Sequence, residues 1–255
     1  ELVLMNVLEY LDYLIELNEK YNLKTDEIKN EMVNYKNQKL SVPILGRFSS
    51  GKTALINALL GYNEKLLKED VTPETSIPAE ILYGENEEEI NVVYSDYTKK
   101  VMKKDLKTFD FNYSEISKVQ YKLDNENLKS IRDVMLVDMP GFDSGCEVHN
   151  KAIDEYLPNS LAYIFVFSSE EMTLKENMKN VLKELVLNDM DICIVITKSD
   201  KVIEEILLEN MEKLKSDFKK YITRKDIKFC VTSSSEKKID EFKNYLFTLQ
   251  ENSQD

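Results

Sequence analysis

A glycine-rich run at residues 46–53 carries the most specific chemical pattern in the sequence. It reads G-R-F-S-S-G-K-T and fits G-x-x-x-x-G-K-[S/T], in which backbone N–H groups surround phosphate oxygens at the start of a helix. Apolar residues 42–45 before it and the helical pattern of residues 52–60 after it supply the strand and helix that such a loop requires. The residues expected to bind phosphate here are Gly46, Ser49, Ser50, Gly51 and Lys52. Lys52 should place its ammonium between the β- and γ-phosphates, and Thr53 should give its hydroxyl to Mg²⁺.

A second pattern, D-M-P-G at residues 138–141, follows the apolar residues 134–137. Enzymes with a phosphate loop hold Mg²⁺ partly through an Asp at the end of a neighbouring strand, often through a water molecule. Asp138 fits this role, and the glycine at Gly141 allows a backbone N–H to come close to the γ-phosphate. Alone the pattern is a common turn, but downstream of a phosphate loop it predicts the metal-binding strand end.

The third pattern indicates which base is bound. T-K-S-D at residues 197–200 follows the apolar residues 192–196 and matches the [N/T]-K-x-D signature of GTPases. The carboxylate of Asp200 can accept hydrogen bonds from both N1–H and N2–H₂ of guanine, whereas adenine offers no such pair of donors. Lys198 is expected to lie over the base and to brace the phosphate loop. Together the three patterns predict binding of GTP or GDP with Mg²⁺.

Two weaker elements complete the predicted site. V-T-S-S at residues 231–234 is placed where GTPases carry a loop whose backbone meets guanine O6, and Ser233 is expected to supply that N–H. V-T-P-E-T-S at residues 71–76 offers a threonine that could close on Mg²⁺ and the γ-phosphate. Thr75 is the first choice and Thr72 the reserve, with a capping or turn role as the alternative.

Alternation of strand and helix patterns positions these motifs. From residue 40 onward, short β-branched runs alternate with amphipathic helical runs, which predicts a mostly parallel sheet covered on both faces. Residues 77–83 and 90–94 are interpreted as a hairpin around an acidic turn, and residues 97–127 as a helical insertion with an edge strand. Pro43 is expected at the very start of the first strand. Residues 2–38 have the apolar spacing of two helices.

Composition excludes several classes of function. A net charge of −13 argues against nucleic-acid binding, which requires a basic face. The three cysteines have no metal-ligand spacing and indicate a reducing compartment, so we expect a cytoplasmic protein. No run is long enough to span a bilayer and no signal peptide is visible. Because the chain starts at Glu1, we expect a fragment or a processed form, and a peripheral location of its parent at the inner face of a membrane stays open.

Taken together, these residues resemble the GTPase domain of the dynamin superfamily, and bacterial dynamin-like proteins in particular. The resemblance covers about residues 40–250 and rests on G-R-F-S-S-G-K-T-A-L-I-N-A-L-L-G, T-P-E-T, D-M-P-G-F and T-K-S-D. It implies a three-layer α/β P-loop NTPase fold over residues 40–255, preceded by a neck-like helical segment over residues 1–39. It also implies GTP hydrolysis, pairing with a second copy or another dynamin across the GTPase face, and membrane remodelling, with lipid contacted only by parts outside this chain.

The sequence departs from the dynamin pattern where attacking water is positioned. Phe48 occupies the place of a phosphate-loop glutamine in many dynamins, and Phe142 and Asp143 follow D-M-P-G where Ras-like GTPases have a glutamine. Ser49, through its hydroxyl or backbone, or a backbone carbonyl elsewhere could serve instead. Arg47 is either a charge-stabilising finger acting within its own chain or a contact to phosphate or a partner. The single histidine, His149, is interpreted as a surface or capping residue.

Two other functions remain open from the sequence. One is a regulatory switch GTPase of the Era or Ras-like kind, with slow turnover that does not depend on protein concentration. The other is a pseudo-GTPase that binds nucleotide and serves only as an assembly module.

Overall fold

The chain divides into two compact units, Glu1–Lys39 and Leu40–Asp255. The computed structural model describes residues 7–37, 39–67, 77–86, 88–109, 111–112, 114–142, 153–222 and 227–253. In these ranges no helix is both long and apolar enough to cross a membrane.

The first unit is a pair of helices, α1 (Val7–Lys20) and α2 (Asp26–Asn37). The chain leaves α1 through Asn22, whose positive φ of 54° suits an asparagine after a helix. The carbonyl of Thr25 accepts the first backbone hydrogen bond of α2, from the N–H of Lys29 at 2.9 Å. The Lys29 ammonium also lies 2.8 Å from the carboxylate of Glu19. Since both side chains are about half exposed, that ion pair adds little to the stability of the unit.

The second unit is built on a nine-stranded sheet with the order β4-β3-β5-β2-β6-β1-β7-β8-β9. Its strands are β1 (Leu40–Gly46), β2 (Ala79–Tyr83), β3 (Glu88–Tyr94), β4 (Thr98–Met102), β5 (Ile116–Leu123), β6 (Val134–Asp138), β7 (Ala162–Ser168), β8 (Asp191–Thr197) and β9 (Lys228–Val231). The five strands from β6 to β9 in that order are parallel to one another, as is the β2–β5 pair. The β2–β6, β3–β5 and β3–β4 pairs are antiparallel.

Helices cover both faces of this sheet. They are α3 (Lys52–Leu60), α4 (Glu126–Lys129), α5 (Glu176–Leu187), α6 (Glu204–Lys219) and α7 (Asp240–Asn252). Side chains of β7 alternate between two apolar clusters, with Ile164 in the cluster that contains α3 and α7 and Phe165 in the cluster that contains α5 and α6. The predicted three-layer α/β fold with a mostly parallel central sheet and N-terminal helices is confirmed.

One local prediction about the outer strands was wrong, and another was correct only in part. β2 and β3 do not form a hairpin, because β5 lies between them, parallel to β2 and antiparallel to β3. The region 97–127 does contain the expected edge strand, β4, but the helical part of its described residues is limited to a 3₁₀ turn at Lys103–Thr108 and the start of the short α4. Residues 116–123 read I-S-K-V-Q-Y-K-L, and this alternation suits a strand buried on one face.

Pro43 also departs from its predicted place. It is the fourth residue of β1 and does not begin the strand. β1 contacts the segment before β7 through a single bridge between Ser41 and Ser160, and it contacts β7 itself through a ladder that starts at Ile44. Pro43 has no N–H to donate, and it lies in the interruption between the two.

Candidate functional site

The predicted motifs meet at one edge of the sheet because they follow parallel strands. The phosphate loop follows β1, D-M-P-G begins at the last residue of β6, T-K-S-D begins at the last residue of β8, and V-T-S-S begins at the last residue of β9. Loops at the carboxyl ends of parallel strands are where open α/β sheets bind ligands.

Two glycines shape the phosphate loop. A Cβ at Gly46 would lie 2.5 Å from the Ser50 hydroxyl and 2.7 Å from the carbonyl oxygen of Val166, so no larger residue fits. Gly51 adopts φ 87° and ψ 20°, a left-handed conformation that other residues rarely tolerate, immediately before α3 begins. The Ser50 hydroxyl donates to the Arg47 carbonyl at 2.8 Å and closes the turn from within. The loop is therefore a compact turn leading into a helix N-terminus.

Lys52 lies inside this loop. Its side chain is buried, and its ammonium donates to the carbonyls of Gly46 and Arg47 at 3.1 Å each. An ammonium buried at the start of a helix beside these carbonyls is well suited to take up negative phosphate oxygens.

Thr53 and Asp138 form the predicted metal-binding pair. The Thr53 hydroxyl donates to Oδ2 of Asp138 at 2.7 Å. The other carboxylate oxygen, Oδ1, is buried and has no hydrogen-bond partner among the described residues. Burial raises the pKa of the Asp138 carboxyl, while the Lys52 ammonium and the Thr53 hydroxyl act in the opposite direction. Buried carboxylate oxygens are rarely left unpaired, and a divalent cation would compensate this one.

The donor set at this pair suits Mg²⁺ in particular. No group of three or more His, Cys, Asp or Glu side chains able to hold a metal occurs in the part of the chain that the structure describes. Mg²⁺ is commonly bound by one or two protein oxygens together with nucleotide phosphates and water. One carboxylate and one hydroxyl beside a phosphate loop therefore fit Mg²⁺ and do not fit a site made of protein ligands alone.

Thr197, the first residue of T-K-S-D, joins the base loop to the phosphate loop. It is buried, and its hydroxyl lies 2.5 Å from the carbonyl oxygen of Ser50 and 3.3 Å from that of Phe167. A Cβ on Gly51 would lie 3.1 Å from the same hydroxyl. Our site prediction omitted Thr197, although its place in the [N/T]-K-x-D signature marks it.

Asp200 is oriented by a neighbouring loop. The Ser233 hydroxyl donates to Oδ1 of Asp200 at 2.6 Å and holds the pKa of that carboxyl below its ordinary value. The Lys201 ammonium lies 3.6 Å from Oδ2. The carboxylate is thus kept ionised, as an acceptor for two guanine donors must be.

The expected backbone role of Ser233 is not supported. Its N–H donates to the carbonyl of Lys238 at 2.9 Å, within a bridge that closes the loop after β9. That N–H is therefore occupied within the protein. Ser233 contacts Asp200 through its hydroxyl instead.

A turn after β7, S-S-E-E at residues 168–171, was not predicted as part of the site. The hydroxyl of Ser169 donates to the Lys198 carbonyl at 2.6 Å, and its N–H donates to the Thr197 carbonyl at 2.9 Å. Glu170 lies 3.5 Å from the Lys198 ammonium, and Glu171 pairs with the Arg47 guanidinium at 2.5 Å. The turn therefore contacts Lys198 and Arg47, two of the three cationic side chains that the sequence analysis placed at the nucleotide. Polar residues directly after a buried strand at this edge were the available signal.

Comparison with known proteins identifies the family. A family model for the dynamin family matches residues 42–217, which is more than half of the chain. The chain belongs to the dynamin family. This dynamin-family domain is a GTPase, in agreement with the T-K-S-D motif and the phosphate loop.

Individual relatives agree with the family assignment. The dynamin-family chain is 29% identical over 229 residues to an uncharacterised protein from the xynA 3′ region of Caldicellulosiruptor sp. (strain Rt8B.4), covering 80% of this chain and 55% of that one. It is 25% identical over 291 residues to Dynamin-like protein 1 of Campylobacter jejuni (strain 81-176), covering 89% and 39%. It thus spans about half or less of the length of these curated relatives.

A solved structure shares the fold. A protein of an oligomerised bacterial dynamin pair, described as sensing and tethering membranes at long range, matches with a TM-score of 0.68 and 20% identity, covering 94% of this chain and 50% of that one. This likeness confirms the fold of the GTPase domain.

The departures from the dynamin pattern have structural counterparts. A Cβ on Gly141 would lie 3.0 Å from the backbone nitrogen of Phe48 and 3.1 Å from its ring, so Phe48 packs on the D-M-P-G turn. Phe142 is buried and stacks on Phe165 in the core, where it cannot orient water. Thr72, Thr75, Asp143 and His149 lie outside the described residues, so the predictions for them stay predictions.

Proposed function

We propose that this dynamin-family GTPase binds GTP with Mg²⁺ at the described edge of the sheet and turns over fastest when two GTPase domains pair across that edge. The observation that carries the proposal is the Thr53–Asp138 pair, in which one buried carboxylate oxygen has no hydrogen-bond partner in the described part of the chain and the carboxylate interacts electrostatically with the Lys52 ammonium. A hydroxyl and a carboxylate placed in this way beside the phosphate loop match the needs of a metal–phosphate complex.

Roles follow from the positions of the groups. Lys52 and the loop N–H groups would neutralise charge that develops on the transferred phosphoryl group during in-line attack by water. Thr53 and Asp138 would hold Mg²⁺, which neutralises phosphate charge when bound. Gly141 would present a backbone N–H to the γ-phosphate, and Thr75 would close the site.

Base selection depends on the loops that follow β8 and β9. Asp200, held by Ser233, would accept from N1–H and N2–H₂ of guanine, while Lys198 would lie over the ring. The backbone of Lys198 has a left-handed conformation, with φ 55° and ψ 34°, that few residues with side chains adopt. Such an uncommon conformation is typical of functional sites, and it supports a specific role for Lys198 at the base.

The proposal also includes pairing of two GTPase domains and remodelling of a membrane. The match to a bacterial dynamin of an oligomerised, membrane-tethering pair supports them by likeness of fold. Residues 1–39 would then serve as part of a neck that transmits the force of pairing, and lipid would be contacted by other parts of a longer protein. A second copy of this chain or another dynamin could be the partner.

The test is phosphate release from GTP and from ATP, with Mg²⁺ or with excess EDTA, over a wide range of protein concentration. We expect release from GTP only, loss in EDTA, and specific activity that rises with concentration. GTP turnover that stays slow and independent of concentration would refute pairing and favour a regulatory switch. Tight GTP binding without release would refute catalysis and favour the assembly module. Lys52→Ala, purified in parallel, controls for contaminating phosphatases.

A further inference from the structure

Arg47 is held in two ways at once. Its backbone carbonyl accepts hydrogen bonds from the Lys52 ammonium and the Ser50 hydroxyl, so its main chain belongs to the phosphate loop. Its guanidinium leaves the loop and donates through Nη1 to both carboxylate oxygens of Glu171, at 2.6 and 2.5 Å. The main chain of Arg47 is therefore fixed within the phosphate loop, while its side-chain charge is paired with the turn after β7.

Glu171, which pairs with the Arg47 guanidinium, is itself held in place by its backbone and by a second cation. Its N–H donates to the Ser168 carbonyl at 2.9 Å, and the two residues form an antiparallel bridge at the end of β7. The Lys175 ammonium lies 3.1 Å from Oε1 of the same carboxylate. Because Lys175 remains as a counter-ion, departure of Arg47 would not leave Glu171 as an isolated negative charge.

The Arg47–Glu171 ion pair is also weak enough for phosphate oxygens to displace Glu171 from the guanidinium. The side chains of Arg47 and Glu171 are 34% and 40% exposed, so water already screens their attraction. Phosphate oxygens that carry several negative charges at the loop would compete directly for the guanidinium. A guanidinium cannot remain on both Glu171 oxygens through Nη1 and also turn fully to phosphate.

We propose that Glu171 is a positioning residue that holds Arg47 on the rim of the phosphate loop and thereby lowers basal GTP turnover. The charge that develops during phosphoryl transfer, or a second GTPase domain, takes Arg47 from Glu171. This inference rests on the proposed GTP hydrolysis at the same site and on the first of the two roles open for Arg47, stabilisation of charge on the transferred phosphoryl group.

The test is a double-mutant cycle of Glu171→Gln and Arg47→Ala, with Glu176→Gln as the matched control. Glu176 is a nearby exposed glutamate that pairs with Lys179 at 3.0 Å, so its substitution removes the same charge without touching Arg47. Glu171→Gln should raise basal kcat for GTP at low protein concentration by about two- to fivefold, the range expected for release from one exposed ion pair. The increase should disappear in the Arg47→Ala background, and Glu176→Gln should match the wild type.

A second measurement keeps the inference testable even if turnover is undetectable. Glu171→Gln should bind GDP with aluminium fluoride, which mimics the transferring phosphoryl group, more tightly than the wild type, with unchanged affinity for GDP alone. Unchanged or reduced turnover in an active protein would overturn the role of Glu171, as would a gain that persists without Arg47. Absence of turnover in the wild type would count against the proposed hydrolysis, and the aluminium fluoride comparison would then decide the role of Glu171.

Discussion

The hydrogen bond from Thr197 to the phosphate loop allows a test of whether the base-binding motif T-K-S-D supports the conformation of the phosphate loop. Thr197→Val keeps the approximate volume of the side chain and removes the hydroxyl that lies 2.5 Å from the Ser50 carbonyl. Ser50 and Thr197 are 5% and 2% exposed, so water cannot readily replace the lost donor. A buried acceptor left without a partner costs about 1 to 3 kcal/mol, so the free energy of unfolding should fall by about that amount.

Nucleotide affinity should fall for the same reason. The carbonyl of Ser50 directly precedes Gly51, and its orientation sets the direction of the loop backbone that enters α3. If the bond maintains the binding conformation, its loss weakens GDP and GTP binding by about 5- to 150-fold, which corresponds to about 1 to 3 kcal/mol. The assay is fluorescence titration with a labelled guanine nucleotide, together with urea unfolding of the nucleotide-free protein.

Thr232→Val is the matched control. Thr232 is fully buried, and its hydroxyl donates to the Ile196 carbonyl at 3.0 Å. That carbonyl also accepts the Thr232 N–H at 2.7 Å, so removal of the hydroxyl leaves no acceptor unpaired. Equal nucleotide affinity in the Thr197 and Thr232 variants would refute the reasoning, because it would show that the Thr197 hydroxyl supports the fold without holding the loop.

Four further substitutions test separate parts of the structure. Lys52→Ala should abolish tight GTP binding, since its buried ammonium is the cation inside the loop; unaltered affinity in a titration would contradict this. Asp138→Asn should make GTP turnover insensitive to added Mg²⁺ and as low as that of the wild type in EDTA, measured by phosphate release. Asp200→Asn should reduce discrimination between GTP and xanthosine triphosphate in competition binding, and unchanged selectivity would oppose the assigned base contact. Asn125→Ala should lower the free energy of unfolding by about 2 to 4 kcal/mol, because Asn125 both caps α4 and donates to the buried Leu60 carbonyl at 2.8 Å; a loss below 1 kcal/mol in a urea titration would be too small for both roles.

Much of the site could be predicted because its chemistry is local in sequence. The turn from Gly46 to Thr53 needs glycines, a lysine and a hydroxyl at fixed spacing, and these requirements appear directly as residue types. The meeting of Thr53 with Asp138 follows from topology, since both come after parallel strands of one sheet. Their 2.7 Å contact spans 85 residues of sequence and required no local signal.

The order of the outer strands could not be predicted in the same way. The acidic turn between β2 and β3 has the length of a hairpin connection, and local pattern gives no information on which strand lies beside which. β5 inserts between them and pairs with both, burying Val119 and Tyr121. Strand order depends on how much apolar surface the complete sheet buries, and the sequence of one segment does not determine that area.

The S-S-E-E turn escaped prediction for a different reason. Its roles depend on partners far away in sequence, Arg47 for Glu171 and Lys198 for Glu170, and an acidic pair after a strand is usually solvated. The corrected role of Ser233 is of the same kind, because the bond from its N–H to Lys238 depends on how the loop folds back.

A continuous set of hydrogen bonds links the phosphate end of the site to the base end. From the phosphate loop, the Ser50 carbonyl meets the Thr197 hydroxyl, and the Thr197 carbonyl meets the N–H of Ser169. Ser169 then donates to the carbonyl of Lys198, two residues before the base-binding Asp200. A nucleotide that fits only one end would strain this set of bonds. We therefore expect selectivity for guanine and positioning of the phosphates to be coupled through Thr197 and the turn after β7, without direct contact between Asp200 and Lys52, and the Thr197→Val titration tests this expectation.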